Sequence, residues 1–163
     1  MKTGPVAALA AALMLPLAAP PLAAEGVAGQ YVAVYTVEGA FEDIRLDLEN
    51  AILNRGLVID YEAFVGAMLE RTAEDVGADR QLYTHADTMQ FCSATLSRRT
   101  MEADPLNLAF CPYIVFAYEE AGKEGIINVG YRRLPLAGDE ESRAALFEVN
   151  ALLDEIVRDA IGE

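Results

Sequence analysis

Residues 113–132 read YIVFAYEEAGKEGIINVGYR. Tyr113–Tyr118 is an almost unbroken run of aromatic and β-branched residues, and Ile126–Arg132 is a second such run. Between them lies the polar, glycine-containing segment Glu119–Gly125. Two strand-like runs joined by so short a turn form a β-hairpin, because a parallel crossover needs a dozen or more residues. The sheet is therefore antiparallel at this point, and the flanking segments have to fit around that pair.

Beyond the hairpin, Leu134–Gly138 is a linker, and Asp139 is an N-cap for a helix running to Ile161. The apolar stripe of that helix is Leu146, Val149, Leu153, Ile156 and Ala160, broadened by Leu152 and Val157. On the other side, Tyr31–Val37 (YVAVYTV) reads as a strand and Phe41–Asn54 as a helix, with Phe41, Ile44, Leu48, Ala51 and Ile52 on one face. Leu57–Tyr61 reads as a second strand and Glu62–Gly77 as a second helix, with Phe64, Ala67, Met68 and Val76 inward. Thr88–Ala94 alternates as a third strand, and Leu96–Ala103 is a short helix stopped by Asp104-Pro105. Glu25–Gln30 reads as a loose leader. Helices with one apolar stripe need a sheet to cover, so the pattern predicts an α+β sandwich: a mostly antiparallel sheet with helices on one face. The apolar hairpin leaves the second face for solvent or for a second copy of the chain, and a homodimer is expected.

The N-terminus has a separate signal. Lys2 precedes an apolar run over Val6–Ala19, broken by Pro16, and Ala23 and Ala24 precede Glu25. This is the pattern of a secretory signal peptide over 1–24, leaving one domain over 25–163. The run is too short and too rich in alanine and proline for a membrane span. Export to the periplasm is expected, with no membrane attachment once the peptide is removed. The chain carries 26 Asp plus Glu against 12 Lys plus Arg, a formal charge of −14. That field opposes nucleic acids and anionic membranes and suits solubility or docking to a basic periplasmic partner.

Several runs resemble the domain of unknown function 302 family: GLVIDY at 56–61, MEADP at 101–105, CPYIVFAYEE at 111–120 and the returning INVGYRRL. The similarity spans about Phe41–Leu134. It implies a β-α-β(4)-α sandwich, often dimeric, and it implies no catalytic set. The segment YTHAD at 83–87 and the cysteine pair suggest an exported subgroup.

Candidate chemistry is concentrated in Tyr83–Tyr113, which holds the single histidine and both cysteines. Cys92 and Cys111 lie near the ends of two strands that would be antiparallel neighbours, within reach of a disulfide. The alternatives are a redox-active dithiol and two free thiols. No C-x-x-C spacing is present to tune a thiolate. His85, Met89 and Met101 are side chains that suit copper or haem iron. A lone histidine supports neither a zinc triad nor a bis-histidine centre within one chain, and a hydrogen-bonded loop histidine is the competing reading. Glu102 with Asp104, and Asp60 and Asp87 at element edges, are the carboxylates that could do acid–base work. With 26 acids in the chain, chance proximity is expected too. There is no glycine-rich phosphate loop, G-x-S-x-G or H-E-x-x-H. The sequence thus points to a non-catalytic exported accessory or binding protein, with haem or a metal as candidate ligand. A thiol–disulfide or sulfur-handling redox protein acting through Cys92 and Cys111 is the alternative.

Overall fold

Side chains along Tyr113–Glu120 alternate between buried and half-buried, and this alternation defines the two faces of the sheet. The computed structural model describes Met1 and residues 26–163. The expected signal peptide, Met1 apart, lies outside the described residues. The elements in chain order are β1 (Gly26–Ala28), β2 (Val32–Glu38), α1 (Phe41–Leu53), β3 (Ile59–Phe64), α2 (Val65–Arg71), β4 (Tyr83–Phe91), α3 (Ala94–Ala103), β5 (Tyr113–Glu120), β6 (Ile126–Arg132) and α4 (Glu140–Ala160). Short 3-10 turns cover Glu74–Val76 and Pro105–Phe110. The strands form one sheet of order β1-β2-β6-β5-β4-β3, and every neighbouring pair is antiparallel. With the short β1, α2 and α3 set aside, what remains is β-α-β(4)-α, an α+β sandwich.

Helices α1 and α4 pack on one face and on each other, and α3 lies against α4. The buried strand residues Tyr35, Phe91, Val115, Ala117, Ile127 and Val129 meet the α4 stripe Leu146, Val149, Leu153 and Ile156, and Leu48 and Ile52 of α1 close the layer. Each large apolar side chain buried this way contributes about 1.5–3 kcal/mol. Asp139 caps α4 as its sequence implies, its Oδ1 accepting the Ser142 N–H at 2.9 Å. A second polar clamp joins α4 to the sheet. Tyr35 and Tyr131 both donate to Asp154, at 2.5 and 3.3 Å, and the Arg158 guanidinium stacks 4.6 Å from the Tyr35 ring. The opposite face carries Ile114, Phe116 and Tyr118, all half-buried. The Phe116 ring lies over Gly130, where a Cβ would fall 2.8 Å from Cζ and 2.3 Å from the Ala33 carbonyl oxygen.

Four local expectations are corrected. Glu62–Phe64 do not open a helix; they extend β3 and pair with Met89, Thr88 and Asp87 of β4. The following helix is therefore only Val65–Arg71, and Phe64 and Met68 are 55 % and 41 % exposed rather than inward. Strand β4 begins at Tyr83, earlier than the alternation indicated, while Ser93 caps α3 and Ala94 starts it. Glu119 and Glu120 belong to β5, not to the turn. Part of the leader, Gly26–Ala28, pairs with β2 as an edge strand.

Candidate functional site

Strand β4 directs His85, Asp87, Met89 and Phe91 to the helix-covered side of the sheet. The last two enter the core, at 2 % and 0 % exposure. The first two lie past its edge, beside the first turn of α1. There the buried Phe41 ring stacks on His85, with centroids 4.7 Å apart and planes 13° from parallel. His85 is opposite Glu119 of β5 in the strand register. Its Nε2 is 4.0 Å from Glu119 Oε2, within ion-pair range for a protonated imidazole and too long for a hydrogen bond. The other Glu119 oxygen accepts the Gly125 N–H at 2.6 Å, and the Gly125 carbonyl accepts the Gly39 N–H at 3.0 Å. The hairpin turn, the loop before α1 and the carboxylate beneath His85 are thus tied together.

One turn further along α1, Arg45 binds three carboxylates. Its guanidinium donates to Asp87 at 3.1 Å, to Glu49 at 3.4 Å and to Glu62, and it lies 5.8 Å from the centre of the Phe64 ring. Burial works against the charge on Arg45, but Glu62, Asp87 and Glu49 together hold its pKa above the ordinary value. Burial pushes the Asp87 carboxyl up; Arg45 opposes that rise and the nearby Glu42 adds to it.

These groups line a cleft of about 550 Å³ between the start of α1, α2 and the first half of β4. Its walls include Glu42, Phe64, Glu70, Tyr83, His85 and Asp87. Gly66 lets α2 approach this closely. A Cβ there would meet the Ala86 amide nitrogen at 2.9 Å and the His85 carbonyl carbon at 3.4 Å. The His85 side chain remains 45 % exposed at the cleft, its one face covered by Phe41 and its edge open. Neither serine nor cysteine lines the cleft. Its chemistry is hydrogen bonding by an imidazole and the Thr84 hydroxyl, attraction by carboxylates and contact with aromatic side chains.

The remaining candidates are distributed elsewhere. Cys92 and Cys111 are joined as a disulfide with Cα atoms 6.3 Å apart, linking the end of β4 to the start of β5 across a sequence separation of 19. Cys111 Sγ is 3.8 Å from Ser97 Oγ, which is 3.0 Å from the Tyr113 hydroxyl. At about 3.3 Å per residue along β4, Cys92 is roughly 20 Å from His85. Met89 is packed in the core, and Met101 is half-buried on α3, the helix that packs against α4 and the Pro105–Phe110 turn. Of the three soft candidates, only His85 reaches the cleft. Among the described residues no three His, Cys, Asp or Glu side chains converge as a metal site. Glu102 pairs with Arg98, and Asp104 accepts the Leu106 N–H at 2.9 Å as a turn residue. Arg99 pairs with Glu148, while Arg132 and Arg133 donate to the carbonyls of Pro112 and Gly29.

Sequence reasoning missed Phe41, Arg45 and Glu119 as parts of one site. Glu119 had a usable signal: it continues the inward parity of Tyr113, Val115 and Ala117, so it is a carboxylate at a core-facing position. Arg45 was the lone base among the acids of α1. Their meeting with His85 depends on tertiary register.

No protein-family model and no curated protein matches the chain. Among solved structures, the crystal structure of an uncharacterized conserved DUF302 protein from Bacillus stearothermophilus is similar, with a TM-score of 0.62 at 16 % identity. The match covers 78 % of this chain and 97 % of that one. The two share a fold, in agreement with the resemblance carried by GLVIDY, MEADP and CPYIVFAYEE.

Proposed function

We propose that this chain is an exported accessory protein of the domain of unknown function 302 type that binds a small ligand in the His85 cleft. The observation that carries the reading is the cleft itself. A half-open imidazole is held between Phe41 and Glu119 beside a 550 Å³ space, with no nucleophilic serine or cysteine in its walls. Residues 1–24 direct export, and the open face with Phe116 and Tyr118 joins two copies. The acidic surface suits a basic periplasmic partner. Haem or copper is a narrower version of the same reading, with the half-exposed His85 imidazole as the ligand at the cleft.

Native mass spectrometry of the protein purified from the periplasm tests this directly. The expected species is a dimer of chains starting near Glu25, lighter by the two hydrogens of one disulfide and carrying a retained small molecule. A protein that neither retains nor takes up any small molecule would sink the binding function. A haem titration without a Soret shift, or with one unchanged in His85→Ala, removes the haem version.

The disulfide supports a second reading, in which Cys92 and Cys111 cycle between dithiol and disulfide. Cys92 directly precedes the N-cap of α3, where the helix dipole would favour a thiolate. Measurement against a glutathione buffer decides it: a potential near −200 mV supports exchange, whereas one below about −300 mV marks a structural bond.

A further inference from the structure

The His85 cleft does not end at Gly66 and Tyr83. Those two residues, with Glu70 and Gln81, also line a smaller hollow of about 70 Å³. The walls of that hollow include Leu69, Val76, Ala78 and Leu82. Wide cleft and narrow hollow thus adjoin at these four residues beside α2, a groove whose two ends differ in chemistry. The narrow end is mostly aliphatic, with Thr72 and Arg80 also on its walls, and Val76 and Leu82 there are 74 % and 45 % exposed. The wide end is aromatic and acidic: Phe64 and Tyr83 face a space bordered by Glu42, Glu70 and Asp87.

Among the described residues, carboxylates outnumber cations at the wide end. Arg45 is its one guanidinium, and that group is already bound to Glu49, Glu62 and Asp87. Among the described residues Glu42 and Glu70 form no salt bridge, although both border the cleft. Arg80 lies at the far, aliphatic end. An anionic head group would meet two uncompensated carboxylates and find no free cation beside His85. A cationic head would find those carboxylates and the Tyr83 ring, with the Phe64 ring already facing Arg45 on one side, a setting that favours ammonium groups. An aliphatic chain attached to such a head would extend toward Leu69 and Val76, where burial of each methylene favours binding.

We infer that the groove binds an amphiphilic organic cation, with an amine or ammonium head between Glu42, Glu70 and Asp87 and an aliphatic tail under α2. This rests on the His85 cleft being the binding site and names the class of its ligand.

The single histidine gives a local reporter, because in histidine-labelled protein the His85 ring supplies one imidazole signal. The full chain, cleared of retained ligand by dialysis, is titrated with octyltrimethylammonium, tetramethylammonium, octanoate and octanol below their micellar concentrations. The inference predicts saturable movement of the His85 signal by octyltrimethylammonium. Binding should be at least tenfold weaker for each of the other three, and at least fivefold weaker in the doubly substituted E42Q/E70Q chain. Both substituted side chains are exposed, so folding is preserved. Equal binding of octanoate and octyltrimethylammonium overturns the ligand class and leaves the cleft as a binding site. Binding unchanged in E42Q/E70Q overturns the placement of the head group. No response of His85 to any of the four overturns both the ligand class and the cleft.

Discussion

The imidazole of His85 lies flat on the ring of Phe41, 4.7 Å between centroids and 13° from parallel. One residue is a cleft side chain and the other a core side chain, so the pair connects the cleft to the fold. Their substitutions should differ. Phe41 is 5 % exposed, and Phe41→Ala should cost about 3–5 kcal/mol in urea unfolding. His85→Ala removes a half-exposed ring and should cost about 1 kcal/mol or less while weakening ligand binding severalfold. A His85→Ala loss as large as that of Phe41→Ala would make His85 a structural residue only.

The disulfide between Cys92 and Cys111 closes the loop that holds α3 and the Pro105–Phe110 turn. In the chain-entropy model that closure stabilises the fold by about 3 kcal/mol. Unfolded protein should show no free thiol without reductant and two with it. The C92S/C111S chain should keep its ligand, since the bond is remote from His85, and should unfold at lower denaturant. Two thiols titrating without reductant would remove the bond from the account.

Tyr131 is 5 % exposed, and its hydroxyl donates to the Asp154 carboxylate. Burial, reinforced by the Asp154 charge, pushes its pKa up to about 12 from an ordinary 10. The folded state therefore holds the phenol proton more tightly than the unfolded chain does. Stability present below pH 10 should be lost as pH rises through 12, by about 2–3 kcal/mol. Tyr131→Phe should start about 1 kcal/mol less stable at neutral pH and show a flatter alkaline decline. An unchanged alkaline slope in Tyr131→Phe would show that this phenol does not titrate between those limits.

Gly66 lets α2 lie against the β4 backbone. In Gly66→Ala the new methyl would press on the Ala86 amide, and backbone there cannot yield as a flexible side chain can. The variant should fold, because α2 is exposed and packs on β4 alone among the larger elements. It should lose ligand affinity at least tenfold with only a modest drop in melting temperature. Full affinity in Gly66→Ala would mean that α2 does not shape the site.

The hairpin and α4 were legible in the sequence because their local signals are strong. Tyr113–Tyr118 is a nearly continuous apolar run ended by a polar, glycine-containing segment, and Leu146–Ala160 repeats by three and four, in agreement with the burial of both elements. Residues 57–87 were misread because the pattern there serves more than the core. Phe64 looks like an inward helical residue, but β3 continues through it, and the ring is left at the cleft under Arg45. The sequence singled out His85 by its rarity. Its partners were hidden, since Phe41 is 44 positions away along the chain and Glu119 meets His85 only through the β4–β5 register.

The central claim is that the cleft beside His85 holds the ligand. It is tested most directly by filling the cleft and weighing the protein. Ala67 is exposed on the cleft wall, and Ala67→Arg would place a long side chain across it without touching the core. Wild-type and Ala67→Arg proteins from the same periplasm are compared by native mass spectrometry. The account predicts a bound small molecule on the wild type and none on the variant, with the same oligomer and the same disulfide. An equally loaded Ala67→Arg protein would place the ligand elsewhere and contradict the account.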